Sequence, residues 1–146
     1  MKKFAFPLAR VMHFRDMQAR LEEIKLEGMY AELRAIDARK TSLRDEHDQS
    51  EKSLKSSAAV TGLELELHDS FLQSVRIESE KLDSSRAACQ KKIEAQMAVV
   101  TSKRRDVKLL EKLKEQRFEK WQAEMFKEID QQAEEAYLAK WNKTAH

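Results

Sequence analysis

Glycine and proline are almost missing from this chain: in 146 residues there are two glycines, Gly28 and Gly62, and one proline, Pro7. Sandwiches, barrels and α/β folds turn often and use many more of both, so those classes are excluded. A single cysteine, Cys89, rules out an internal disulfide and fits a reducing compartment. No apolar run approaches 18 residues, so no membrane span is expected. The lysines near the start are not followed by the 7–15 apolar residues of a secretory signal, so a cytoplasmic protein is expected.

Charge is plentiful but unsegregated. There are 28 basic and 26 acidic residues, a net charge of +2. Such mixing excludes a dedicated nucleic-acid face, which needs its basic residues gathered together. Ala, Glu, Lys, Leu and Arg dominate, the composition of long helices and coiled coils.

Apolar residues recur every three or four positions. Leu8, Val11, Met17, Leu21, Ile24, Met29, Leu33, Ile36, Leu43 and Leu54 mark a first helix over about 8–57, with Pro7 in its opening turn. Gly28 reads as a neutral surface position. Between Lys40 and Ser57 the stripe thins, and Lys40, His47 and Ser50 stand where a seam favours Leu or Ile.

Ser57–Gly62 holds the reversal, with the turn at about 58–62. Thr61 and Glu64 have the spacing of a capping box. A second helix over about 63–141 follows, without proline or glycine. It would be about 120 Å long at the helical rise. Its stripe is Phe71, Val75, Leu82, Cys89, Ile93, Met97, Val100, Val107, Leu110, Leu113, Trp121, Met125, Ile129 and Ala133, with a mean step near 3.5.

The expected fold is all-α: one domain, 1–146, forming a long two-helix antiparallel coiled-coil hairpin with an overhanging C-terminal helix. A short turn makes paired residue numbers add to about 120. The second helix should then overhang from about Leu113 to Trp141, so that it either frays in the free monomer or something else covers Phe118, Trp121, Met125, Phe126 and Ile129. A frayed tail is expected over 142–146.

Catalysis is not expected. There is no glycine-rich loop, a two-helix rod has no deep pocket, and no acid stands out among 26 on exposed faces. His13, His47, His68 and His146 lack metal spacing, although His47 and His68 could meet near the turn. Cys89 reads as a small buried apolar group. No enzyme, metal site or cofactor is expected. Lys103-Arg104-Arg105 opens a segment to Lys120 with eight basic and four acidic residues, suited to an acidic protein surface.

Two stretches resemble the FliJ family of flagellar type III export proteins. Phe4-Ala5-Phe6-Pro7-Leu8-Ala9-Arg10-Val11 is similar to the family's opening. Leu110-Glu111-Lys112-Leu113-Lys114-Glu115-Gln116-Arg117, then Trp121 and Lys127-Glu128-Ile129-Asp130-Gln131-Gln132-Ala133, is similar to its C-terminal segment. The resemblance implies a stalk-like coiled coil, peripheral at the inner face of the cell membrane at the flagellar base. Its implied partners are the export ATPase ring, the transmembrane export gate and export chaperones.

Residues expected at the ATPase are Arg10, Arg15, Arg104, Arg105, Lys112, Arg117 and Trp121. Those expected at the gate are Leu43, His47, Phe71, Val75 and Leu82. The alternatives are a structural tether or self-associating scaffold, and a general escort chaperone for export substrates. Neither nucleic acid nor membrane insertion is expected, and the free protein is expected to be a monomer.

Overall fold

The computed structural model describes residues 2–145, which form two α-helices and no strand. They are α1 (Ala9–Lys55) and α2 (Gly62–Thr144), paired as a helical hairpin. α1 begins one residue after the expected start and ends two before the expected end. α2 begins at Gly62 and continues three residues past Trp141, where the sequence suggested fraying. His146 lies outside the described residues.

Contacts divide the chain into two units, Arg20–Val100 and the residues to Ala19 together with those from Thr101. In the unit that contains the turn, cross-helix partners follow the antiparallel rule closely. Ser50 with His68, Met29 with Cys89 and Glu22 with Gln96 all add to 118. The capping box forms as expected: the Glu64 N–H donates to Thr61 Oγ1 at 3.2 Å, and the Thr61 N–H donates to the Glu64 carboxylate at 3.4 Å. Ser56 closes α1, its N–H donating to the Lys52 carbonyl at 3.0 Å.

Leu43, 2% exposed, Cys89 and Ile93 are the buried apolar residues of this unit. Gln96 is buried beside them, where Met97 was expected. Its amide donates to the Glu22 carbonyl at 2.9 Å and to the Glu22 carboxylate at 2.6 Å, so the polar group is satisfied. Leu21 and Ile24, expected in the seam, are exposed, Leu21 at 57%. Leu26 and Tyr30, which the stripe omitted, are half-buried there, as is Met29, which it included.

Ion pairs bridge the two helices of this unit. Arg39 holds Glu78 with two hydrogen bonds, 2.7 and 3.1 Å, and Arg86 reaches Asp37 at 2.7 Å. These guanidiniums hold the Glu78 and Asp37 carboxyls below their ordinary values, chiefly through the side-chain hydrogen bond. Lys40, read as a weak point of the stripe, bonds Asp83 across the seam.

The other unit is built the same way, and Asp16 receives Arg104 at 2.9 Å. Ala19, 0% exposed, and Val107 are its buried helical residues. Val11 and Met17, expected in the seam, are exposed, and Met12 packs inward instead. The helical period allowed two faces of α1 here. The inward one has Arg15, Asp16 and Ala19, less apolar than the outward one.

Candidate functional site

The N-terminal residues before α1 run along α2 and change where the overhang begins. The Ala9 N–H donates to the Phe6 carbonyl at 3.1 Å, so Pro7 sits just ahead of α1, where a missing N–H costs nothing. This directs Phe6 inward, 8% exposed, with the Arg117 guanidinium over its ring at 5.8 Å. Phe4 meets Phe118 edge-on, with centroids 5.2 Å apart, and Trp121 at 5.9 Å. Phe118 and Trp121 stack at 5.8 Å. The Trp121 indole N–H donates to the Lys2 carbonyl at 3.2 Å.

Three aromatic rings, one of them the capped indole, thus form a small cluster worth about 0.5–1.5 kcal/mol per ring pair beyond its buried area. The expected overhang from Leu113 is therefore corrected. Residues 2–6 reach along α2 as far as Trp121, which is half-buried, while Phe118 keeps 42% of its surface exposed. From Ala123 to Thr144, Met125 alone is half-buried and every other residue is exposed, including Phe126, Ile129, Tyr137, Leu138 and Trp141.

The expected ATPase-facing residues divide by geometry. Arg10, Arg105 and Lys112 are exposed and have no hydrogen bond or ion pair among the described contacts. Arg15 is half-buried and donates to Gln18 at 3.4 Å. Arg104 is turned inward to Asp16, so it joins the two helices and offers little to a partner. Arg117 and Trp121 belong to the aromatic cluster, with Trp121 half-buried.

Among the expected gate residues Leu43 is a correction. It is buried, and a partner could reach it only by opening the helix pair. His47, Phe71, Val75 and Leu82 are half-buried. His47 lies 3.4 Å from Asp48 and 3.8 Å from Glu51 on its own helix. His68 is hydrogen-bonded with Ser50 at 2.9 Å, so the two histidines take different partners. Ser50, Ser53, Leu54, Leu67, His68 and Phe71 line a shallow groove beside the turn. Sequence reasoning passed over Leu67, which is exposed, as are Leu63 and Leu65, although Leu67 stands four residues before Phe71 and so shares its face.

Among the described residues no group of three or more His, Cys, Asp or Glu is placed to hold a metal ion. No helix among them is long and apolar enough to cross a membrane. The chain presents surfaces rather than a cavity: an aromatic cluster followed by bare helix in one unit, and a groove beside the turn in the other. No protein-family model, curated protein or solved structure matches the chain.

Proposed function

We propose that this chain is a non-enzymatic component of the flagellar type III export apparatus. It acts as a stalk-like coiled coil that binds the export ATPase ring and promotes its assembly and activity. It also engages the transmembrane export gate and export chaperones, and works at the inner face of the cell membrane at the flagellar base. The observation that supports this reading is the helical, exposed stretch of α2 from Phe126 onward. A helix that keeps apolar side chains in water is a surface prepared for another protein.

The docking residues in this reading are Arg10, Arg15, Arg105, Lys112 and the Arg117–Trp121 cluster at the ATPase. His47, Phe71, Val75 and Leu82 serve the gate through the groove beside the turn. Leu43 and Arg104 support the helix pairing beneath them.

Adding the full-length protein to the purified export ATPase should raise its ATP turnover, and the two should co-migrate. Phe126→Asp should reduce both effects while leaving the helix content unchanged. Unaltered turnover with no co-migration across a range of ratios would sink the proposal.

A further inference from the structure

Phe118, Trp121, Met125 and Ile129 are spaced three, four and four apart on α2, so they lie along one side of the helix. The two ends of this side differ. At the first, the Phe4 ring meets Phe118 and Trp121, and the Lys2 carbonyl accepts from the Trp121 indole. Lys2 also lines a shallow groove with Trp121, Glu124, Met125 and Glu128. The other end is bare, with Ile129 41% exposed.

The N-terminal residues are held unevenly. Phe6, buried under the Arg117 guanidinium, is a pin. Before it, Phe4 is half-buried, and Lys2, Lys3 and Ala5 are exposed. Among the described contacts no backbone N–H from Lys2 to Phe6 donates a hydrogen bond, and the Trp121–Lys2 bond is the one that ties this stretch to α2. Lifting Lys2–Ala5 about Phe6 therefore breaks two ring contacts and one hydrogen bond, and leaves the helix pair untouched. A segment whose backbone is already in water opens far more often than the hairpin unfolds.

We propose that Lys2–Ala5 is a strap over the root of the bare helix, and that the protein gripping this side of α2 must displace it. This rests on the docking of the export ATPase at α2 proposed above. A helix held along one side presents anchors at i, i+3 or i+4, and i+7. Past Met125 the large apolar residues of this side come down to Ile129, with Phe126 at its edge, because Ala133 and Ala136 are small and Gln132 is polar. Trp121 and Met125 supply the missing anchors, and both are half-buried beside the strap. Strap and partner thus compete for the same side chains. The partner's apparent affinity is then its affinity for the open form reduced by the fraction of molecules that are open. Until the partner arrives, the strap keeps the Trp121 ring partly out of water and its N–H satisfied.

Two measurements on the full-length chain test this. With Trp141→Phe as the parent, Trp121 is the one tryptophan left, and acrylamide quenching of its emission reports the cover. Phe4→Ala should raise the quenching constant about twofold while circular dichroism stays unchanged. Phe4→Ala should also bind the purified export ATPase about fivefold or more tightly than the parent, and adding Trp121→Ala should abolish that gain.

A quenching constant that Phe4→Ala leaves unchanged overturns the strap, whatever the ATPase does. A raised quenching constant with equal or weaker ATPase binding overturns it too, because Phe4 is then either irrelevant to docking or part of the docking surface. If neither the parent nor Phe4→Ala binds the ATPase, the competition falls together with the docking it rests on, and a raised quenching constant then marks the docking as the part that failed.

Discussion

Two leucines on α1 separate the observed pairing from the one the sequence suggested. Leu43 is 2% exposed and Leu21 is 57% exposed, yet both stand on the apolar stripe read from the sequence. Truncating a buried leucine to alanine removes its transfer free energy and leaves a cavity, which costs about 2–5 kcal/mol in well-packed cores. A two-helix seam is open on both sides and relaxes more easily, so Leu43→Ala should cost about 2–3 kcal/mol. Leu21→Ala removes side chain already in water, and alanine is the better helix former, so its change should stay within about 0.5 kcal/mol. Urea unfolding followed by circular dichroism at low protein concentration measures both. Leu43→Ala should lower the midpoint while leaving the slope unchanged, since the surface exposed on unfolding is nearly the same. Equal losses at the two positions, or a larger one at Leu21, would refute the register in which Ala19, Glu22 and Leu26 face α2.

Acid should loosen the unit around the turn. Asp37 and Glu78 have depressed carboxyl pKa values, so their pairs with Arg86 and Arg39 stabilise the fold above the ordinary carboxylate range. That contribution is lost as pH falls through the lowered folded-state values. Asp37→Asn with Glu78→Gln should flatten the fall in urea midpoint as pH drops from neutral through the ordinary carboxylate range near 4 and below it. The Cys89 thiol is buried and donates to the Met29 carbonyl at 3.5 Å, so a thiol reagent should label it only as fast as the helices open. Thr61→Ala removes the side-chain half of the capping box and should cost about 1 kcal/mol by urea titration. At Gly28 a methyl group would meet nothing within 4 Å, so Gly28→Ala should raise stability by about 0.5–1 kcal/mol.

Much of the fold was legible without coordinates, because long helices depend on local terms. The absence of breakers, the 3.5-residue period and the Thr61–Glu64 spacing each act within a turn or two of chain. They sufficed for two helices, the turn near residue 60, the antiparallel pairing and the exposed end of α2. Gly28 could be read as neutral for the same reason. What the tertiary structure decided was the choice between faces. On α1 the stripe of Val11, Met17, Leu21 and Ile24 is the more apolar, and a hydrophobicity count selects it. The observed seam uses Met12, Ala19 and Leu26, with Asp16 and Glu22 beside them. It wins because α2 brings Arg104 to Asp16 and Gln96 to Glu22, and the small Ala19 admits close approach. Those partners are 88 and 74 residues away in the chain, so no local pattern contains them. The reach of Phe4 to Phe118 and Trp121 was hidden likewise, since an extended segment has no helical period to announce where it packs. Sequence alone determined that this chain is a helical hairpin with a bare end. Only the contacts between distant residues decided which apolar faces are enclosed and which remain open to a partner.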